Sequence, residues 1–248
     1  MIHFQKLSLD DTFHFFCHPG IECFKRCCRD LNQCLTPYDI LRLKKRLKLS
    51  SGEFLKRYTT HHIGPASGLP VVTLKMLAHE NLNCPFVSKA GCTVYADRPG
   101  SCRIYPLARI TQRKPNQHTC EEFYIIIKEP HCLGFQESKA WTVKEWKQDQ
   151  AVALYDEMND LLMDIISLKN RSGRRRLTHR ENELFYLACY DLDRFRGLVF
   201  EKRLWKTHPI EEEVIKALEE DDVALMRFGI EWIKGRLFGG IKDHHKGI

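Results

Sequence analysis

The sequence predicts an α+β protein with a small, loop-rich N-terminal domain and an α-helical C-terminal region. Three observations predict it. Ten of the 11 cysteines lie within residues 17–132. Residues 1–137 carry 19 Lys and Arg against 12 Asp and Glu, whereas residues 138–248 carry 20 of each. The hydrophobic pattern also changes from short apolar runs to long helical repeats. We therefore predict domains at residues 1–137 and 138–248.

The composition excludes several classes of protein. In 248 residues, 43% are hydrophobic and 29% are charged, which is an ordinary globular balance and argues against disorder or a fibrous repeat. No run of uncharged apolar residues is long enough to span a membrane. Asp10 and Asp11 stand where a signal peptide would place its apolar region. We expect a cytoplasmic protein with no membrane partner.

The N-terminal half reads as short elements joined by loops. Thr36 is a good N-cap for a helix that begins at Pro37, and Ser50 with Glu53 forms a capping box for a second helix. Residues 71–77 and 123–128 are rich in strand-forming side chains, and residues 93–95 add a possible short strand.

The C-terminal half reads as helices only. Capping boxes at Thr142 and Thr178 each begin a long apolar-periodic segment, and the run at 171–176 separates the two. Pro209 begins a third helix, in two pieces, which Gly239 and Gly240 end. We predict a helical bundle or hairpin.

The cysteines allow three interpretations. A reducing compartment disfavours disulfides, and a disulfide between the adjacent Cys27 and Cys28 would be strained. Burial as small apolar side chains suits Cys189, and it also suits Cys34 and Cys120. It does not suit four cysteines within residues 17–28, which are surrounded by charged side chains. Clustered cysteines of this kind indicate metal ligation.

The spacing predicts a site assembled by the tertiary structure. On a helix, Cys23 and Cys27 would share one face, and Cys28 would point about 100° away toward a second ion. Cys84, Cys92 and Cys102 are separated by seven and nine residues, gaps too wide for a self-contained zinc finger. We therefore expect metal to join the two segments and to fix the fold of the loop-rich domain.

Basic residues support thiolate binding. Cations close to a thiol lower its pKa and stabilise the thiolate. Lys25, Arg26 and Arg29 flank the first cluster, and Arg98 and Arg103 flank Cys102. Residues 44–46 are read instead as solvated surface charge. Nucleic acid is not an expected partner, because no recognition motif or aromatic-basic platform occurs.

Four stretches carry a resemblance to a known family: FFCHPGIECFKRCCRDL (15–31), TPYDILRLKKRLKLSSGEFLKRY (36–58), CPFVSKAGCTVYADRPGSCRIYPL (84–107) and HCLGF (131–135). Together they resemble the YkgJ-type, or CxxCxxCC, family, whose cysteine-cluster domain is described as chelating zinc or iron. Some relatives are similar to flagellin lysine methylases. This chain departs from the family spacing, because five residues rather than two separate the first two cysteines. The resemblance implies these ligands: Cys17, Cys23, Cys27, Cys28, Cys84, Cys92, Cys102 and Cys132.

Three functions follow as hypotheses. The leading one is a cytoplasmic metal-binding protein that holds Zn²⁺ or an iron–sulfur centre, with the metal ion as its partner. The second is a metal-dependent enzyme such as a protein lysine N-methylase, although the sequence has no G-x-G-x-x-G loop for an adenosyl cofactor. The third is an adaptor whose helical half docks a protein partner. The sequence leaves open the choice between zinc and iron, and whether Cys34, Cys120, His18 or His131 join the metal ligands.

Overall fold

The structure is a computed structural model that describes residues 5–113, 120–173, 176–207 and 211–239. It divides into two compact units, which we describe separately. The first comprises Met1–Leu31 and Met76–Asp156, and the second comprises Asn32–Lys75 and Glu157–Ile248.

The helices and strands are labelled in chain order. The strands are β1 (Lys6–Leu7), β2 (Thr12–His14), β3 (Cys34–Leu35), β4 (Thr59–Ile63), β5 (Pro70–Leu74), β6 (Val87–Ser88), β7 (Gly91–Cys92), β8 (Leu107–Arg113), β9 (Cys120–Ile126) and β10 (Ala140–Thr142). The α-helices are α1 (Pro37–Leu47), α2 (Ser51–Tyr58), α3 (Gly100–Ile104), α4 (Val143–Asp149), α5 (Ala153–Arg171), α6 (His179–Cys189), α7 (Leu192–Lys202), α8 (Glu212–Glu220) and α9 (Asp222–Phe238). Short 3₁₀ helices lie at Arg26–Cys28, Ala78–Glu80, Tyr95–Asp97, Leu133–Gln136 and Leu204–Thr207.

The first unit is built on small antiparallel sheets. Strands β1, β9 and β8 form one sheet in that order, β10 pairs with β2, and β6 pairs with β7. Aromatic side chains from the strands and from α4 fill the core, where Trp146 meets the rings of Phe13 and Phe15 edge-on. The buried core residues are Leu7, Phe13, Phe15, Leu107, Tyr124, Val143 and Trp146.

The second unit combines a three-stranded antiparallel sheet, in the order β3–β5–β4, with helices. Its core includes Phe195 of α7 and the apolar side of α9, which are fully buried. Gly229 of α9 allows a close approach to α6, because a Cβ atom there would lie 2.6 Å from the carbonyl oxygen of Ala188. Any larger residue at this position would force the two helices apart.

The helix starts predicted from capping patterns are confirmed. Thr36, Ser50, Thr142 and Thr178 are the N-caps of α1, α2, α4 and α6, and each side chain accepts a hydrogen bond from the backbone N–H three residues on. The third C-terminal helix is in two pieces, α8 and α9, as predicted. Its predicted start at Pro209 lies outside the described residues.

Other predicted elements differ in position. The strand expected at residues 93–95 is wrong: β7 lies at Gly91–Cys92, and a 3₁₀ helix begins at Tyr95. The segment that follows Thr142 is not one helix, because Ala151 takes a left-handed φ of 49° between α4 and α5. The helix that begins after Thr178 is likewise broken between α6 and α7. Hydrophobic periodicity continues across such breaks, so it did not reveal them.

The boundaries of the two compact units also differ from the domain boundary predicted at residue 137. Trp146 packs into the core of the first unit. In the second unit, the hydroxyl of Ser51 donates to Asp191 Oδ1 at 2.6 Å, which joins the Asn32–Lys75 segment to the later helices. Domains at 1–137 and 138–248 stay a prediction.

Lys44 corrects the expectation of solvated charge at residues 44–46. Its side chain is 7% exposed, and its Nζ lies 2.8 Å from Asp193 Oδ1 and 3.3 Å from Asp222 Oδ2. Lys45 and Arg46 are exposed, as expected. A lysine on α1 therefore has an internal role in the second unit, because its partners Asp193 and Asp222 lie 149 and 178 positions later in the sequence.

The α+β class is confirmed. Small antiparallel sheets dominate the first half of the chain and helices dominate the second. Within the described ranges, no helix has both the length and the apolar character that a membrane-spanning segment requires.

We expect Lys44→Met to destabilise the second unit more than Lys45→Met. Loss of Lys44 leaves two poorly solvated carboxylates without their shared cation, which should lower the free energy of unfolding by roughly 2–3 kcal/mol. This is slightly below the ~3–5 kcal/mol for breaking a fully buried ion pair, because both carboxylates keep other contacts. Lys45 also reaches Asp222, at 3.4 Å, but its side chain is 53% exposed, so its loss should cost at most about 1 kcal/mol. Denaturant unfolding at pH 7 measures both values, and equal losses would contradict the assignment.

The same ion pairs give a pH dependence. Burial raises the pKa of Asp193, but its hydrogen bonds with Lys44 and Ser51 outweigh burial and hold that pKa below its ordinary value. A carboxyl whose pKa is lowered on folding contributes stability above its unfolded pKa, near 4, and this contribution is lost as the pH falls below it. The difference between wild type and Lys44→Met should therefore shrink between pH 5 and pH 2. A constant difference across this range would contradict it.

Candidate metal centre

The first cysteine segment, residues 17–28, is a chain of turns rather than an α-helix. Backbone hydrogen bonds run from Phe24 N–H to the Ile21 carbonyl at 2.9 Å and from Arg26 N–H to the Cys23 carbonyl at 2.9 Å. Lys25 takes a left-handed φ of 71°, and the 3₁₀ helix begins after it. Cys27 and Cys28 are consecutive residues of this helix, so their side chains leave it about 120° apart. The prediction that Cys23 and Cys27 share one face of an α-helix is therefore wrong, and the Cys27 and Cys28 thiols are hydrogen-bonded to each other.

This segment is held against the stretch that contains Cys84 and Cys92. The Cys84 N–H donates to the Cys28 carbonyl at 2.8 Å, and the Asp30 N–H donates to the Leu82 carbonyl at 2.9 Å. The Lys25 ammonium donates to the Lys89 carbonyl at 2.7 Å. Cys28 and Cys84, which are 56 positions apart in sequence, are therefore joined through their backbones.

The same segment is also held against the stretch that contains Cys132. The Phe16 N–H donates to the Gly134 carbonyl at 3.0 Å. The Leu133 N–H donates to the sulfur of the buried Cys23 at 3.2 Å. Residues 17–28 therefore lie between two stretches that are remote in sequence.

Three other thiols lie close to the Cys17 thiol. The charges of Cys27, Cys23 and Cys132 add to burial, the largest cause, and raise the pKa of Cys17 to about 11. Like charges raise a thiol pKa only when they are close, so Cys17 has three thiol neighbours. The group comprises Cys17, Cys23, Cys27 and Cys132.

A second gathering forms around Cys28. Its hydrogen bond with Cys27 raises the pKa of the Cys28 thiol, and burial and the charges of Cys84 and Cys102 raise it further. The same hydrogen bond lowers the pKa of the Cys27 thiol to about 7. Cys92 in turn acts on Cys84, and Cys27 acts on both Cys84 and Cys92. The group comprises Cys28, Cys84, Cys92 and Cys102, and the Cys27–Cys28 pair connects it to the first.

Backbone amides and one arginine favour the ionised form in this second group. Burial raises the pKa of Cys84, and the N–H groups of Phe86 and Val87 oppose that shift. Burial likewise raises the pKa of Cys92, where the N–H of Val94 and the charge of Arg98 oppose it. The turns that follow these two cysteines thus place their amides toward sulfur.

Among the described residues, eight buried side-chain nitrogen or oxygen atoms lack a hydrogen-bond partner, and two of the eight belong to residues beside Cys132. One is Nε2 of His131, whose other ring nitrogen lies 3.7 Å from Glu129. A histidine that binds metal commonly has a carboxylate beside its second nitrogen. The other is the hydroxyl of Tyr105, whose pKa is raised by burial and by the neighbouring Cys132 thiol.

The remaining candidates have other surroundings. His18 accepts a hydrogen bond from the Gly20 N–H at 3.2 Å, and its Nε2 lies 3.8 Å from Glu137. Cys34 lies on β3 in the second unit and is exposed, so the buried apolar role predicted for it is wrong. Cys189 is fully buried in α6, as predicted for an apolar role. The side chain of Cys120 lies outside the described part of the structure. None of the ten cysteines with described side chains forms a disulfide.

The comparison with protein families decides the class of this domain. Residues 17–121 match the family described as "CxxCxxCC: Putative zinc- or iron-chelating domain". Over these residues the chain is similar to the CxxCxxCC family. The match begins at Cys17 and spans seven of the eight predicted ligands, all except Cys132. Searches of curated proteins and of solved structures find no match.

The residues present fit a metal by the chemistry of their donors. These donors favour a thiophilic metal ion. They are thiols with amides directed at their sulfur atoms, a nearby cation, and an imidazole nitrogen without a hydrogen-bond partner. In the described ranges, however, no three His, Cys, Asp or Glu side chains already stand in an arrangement that holds an ion. The backbone thus brings the cysteines into one region, and their side chains must still turn to converge.

Sequence reasoning missed the backbone groups and Gln150. The amide of Leu133 and those of Phe86 and Val87 carry no signal in residue type, because every non-proline residue has an N–H. Gln150 is buried and accepts hydrogen bonds from both Arg98 and Arg103. It follows α4 by one position, and nothing in its sequence context distinguishes it from a surface glutamine.

The thiol pKa values predict different reactivities in the metal-free protein. Cys17 and Cys27 are both exposed, but Cys27 ionises near pH 7, and Cys17 needs a pH of about 11. Iodoacetamide at pH 7 should therefore modify Cys27 about two orders of magnitude faster, since the larger thiolate fraction outweighs its lower nucleophilicity. Peptide mass spectrometry measures the two rates. Cys28→Ala should slow Cys27 labelling by removing the hydrogen bond, and equal rates at Cys17 and Cys27 would contradict the assignment.

Proposed function

We propose that this domain binds two metal centres through the thiolates of Cys17, Cys23, Cys27, Cys28, Cys84, Cys92, Cys102 and Cys132. The observation that carries the proposal is the position of residues 17–28 between two remote stretches, with the Leu133 amide on Cys23 sulfur and the Cys84 amide on the Cys28 carbonyl. Such contacts hold thiols together before any ligand is present. Both Zn²⁺ and iron–sulfur centres accept four thiolates.

We divide the thiolates into two sets of four. Cys17, Cys23, Cys27 and Cys132 form the first set, and Cys28, Cys84, Cys92 and Cys102 form the second. The thiol neighbours support the division, because Cys23 and Cys132 act on Cys17, whereas Cys84 and Cys102 act on Cys28. His131 is a further candidate ligand for the first set, because its Nε2 is buried without a partner.

Binding requires only local adjustment. The side chains occupy staggered rotamer wells, and a change of well moves a sulfur by several ångströms without moving the backbone. Each thiol loses its proton when it binds the ion. The amides of Leu133, Phe86 and Val94 then donate to sulfur that carries negative charge. The bound metal supplies the crosslink between segments, and the chain supplies the donors and the stabilising dipoles.

Thiols bind metal only while they are reduced, so we propose that the protein works in a reducing compartment such as the cytoplasm.

The zinc and iron–sulfur forms are both open to test. Lysine methyl transfer and partner docking by the helical half stay predictions of the sequence.

Elemental analysis of protein purified without air tests the proposal. We expect either about two zinc ions per chain and no colour, or iron with inorganic sulfide, a brown colour and bleaching on reduction. Cys34→Ser is the matched control: it removes an exposed cysteine of the second unit and should leave the metal content unchanged. A folded wild-type protein that contains neither metal would overturn the proposal.

Single substitutions test the division into two sets. Cys23→Ser and Cys84→Ser should each remove about half of the bound metal, and the double variant should remove nearly all of it, because each set keeps its own four donors. If either single variant loses all of the metal, the thiolates share one centre and the division is wrong.

Removal of metal should unfold the first unit and spare the second. Structural thiolate sites contribute about 10–16 kcal/mol in small peptides, which rivals the ~5–15 kcal/mol stability of a whole domain. With a strong chelator, hydrogen exchange should accelerate in β6 and β7, whereas α9 should keep its protection. Unchanged protection of β6 and β7 in protein verified to be metal-free would contradict a structural role.

A further inference from the structure

Two buried arginines lie beside the second thiolate set. Arg98 and Arg103 are each 8% exposed, and they flank Cys102 on α3. Arg98 donates to the Tyr95 carbonyl at 2.7 Å and to Gln150 Oε1. Arg103 donates to the Gln150 carbonyl at 2.8 Å and to the Ala96 carbonyl. All four acceptors are neutral, so these hydrogen bonds do not neutralise the two positive charges.

A buried cation needs a compensating negative charge, because transfer of an unpaired charge out of water is costly. The thiols of Cys92 and Cys102 are the natural source. Burial lowers the pKa of Arg98, and the repulsion from Arg103 adds to that effect, whereas Tyr95 and the charges of Cys102 and Cys92 oppose it. Cys102 lies on α3 between the two arginines in sequence. The attraction between a guanidinium and sulfur is strongest when the sulfur is a thiolate.

Arg98 is also held rigidly in place. Its guanidinium stacks on the ring of Tyr95, 3.8 Å from the ring centroid, and Gln150 fixes its far end. The Gln150 side chain donates in turn to Asp149 Oδ2 at 2.8 Å. A charge fixed by three partners keeps its distance from the thiols, unlike a solvated lysine that turns away into water.

We propose that Arg98 is a built-in counter-cation for the second thiolate set, with Gln150 as the residue that positions it. This inference rests on the proposed function, since it assigns a role to Arg98 only if Cys28, Cys84, Cys92 and Cys102 bind metal. Four thiolates around a divalent ion carry a net charge of −2, and the fixed guanidinium offsets part of it. The second set thus binds metal more tightly than its sulfur atoms alone would allow.

The test compares variants that keep or remove the charge. Zn²⁺ is the probe, in the Cys23→Ser background so that only the second set binds, and affinity is measured by competition with a chromophoric chelator. Arg98→Gln should weaken Zn²⁺ binding by about 10–100-fold, the range for outer-shell partners of metal ligands. Arg98→Lys keeps the charge but loses the stacking and one of the two hydrogen bonds, so it should weaken Zn²⁺ binding clearly less than Arg98→Gln does. Arg26→Gln is the matched control: Arg26 precedes Cys27, but its side chain is 56% exposed and should not affect the affinity.

A second variant keeps the proposal testable if Arg98→Gln fails to fold. Gln150→Glu retains Arg98 and gives it a carboxylate partner, so the charge no longer favours the thiolates and Zn²⁺ binding should weaken in the same direction. Equal weakening by Arg98→Lys and Arg98→Gln would show that Arg98 acts by packing and overturn the proposal. Unchanged affinity in Arg98→Gln or Gln150→Glu would overturn it too. Absence of metal from the wild-type protein would instead reject the proposed function itself.

Discussion

The first unit depends on the backbone hydrogen bonds that hold residues 17–28 between two remote stretches. The Cys84 N–H and the Leu133 N–H are the decisive donors, one to the Cys28 carbonyl and the other to Cys23 sulfur. Without these contacts, each stretch would be a loop with few apolar side chains of its own. With them, eight cysteines from a span of 116 residues lie in one region of the fold. Metal binding then requires only that the cysteine side chains turn toward the ion, because the backbone already holds them in the same region.

Electrostatics shape this region in two opposite ways. Burial makes thiolates costly, and it raises the pKa of Cys17, Cys84 and Cys92. Backbone amides and Arg98 act against that cost, and they do so at positions where a metal would need ionised sulfur. The excess of positive charge in residues 1–137 is therefore more than a property of the surface. At least part of it, in Arg98 and Arg103, is buried next to the thiols.

The second unit uses buried charge differently. Lys44 is surrounded by the carboxylates of Asp193 and Asp222, and Arg196 also reaches Asp222. Here the charges neutralise one another, and they join α1 to later helices. In the first unit the buried arginines donate to neutral oxygens. This contrast is the reason to regard Arg98 as the partner of a group that binds later rather than as one half of a structural ion pair.

Local patterns in the sequence determined the helix starts, the α+β class and the clustering of cysteines. A capping box satisfies its hydrogen bonds within four residues, so Thr36, Ser50, Thr142 and Thr178 could be assigned from the sequence. Cysteine spacing likewise indicated a site built from several segments, but it gave no sign of the hydrogen bond between the Cys27 and Cys28 thiols.

Only the tertiary structure decided which groups meet. The burial of Lys44, the role of Gln150, the amide contacts to sulfur and the membership of Asn32–Lys75 in the second unit all depend on partners far away in sequence. A solvated lysine and a buried one look alike in a helical pattern, because burial is set by what packs over the residue rather than by its neighbours. Every residue, moreover, carries an N–H, and only the fold determines which of them points at a sulfur atom.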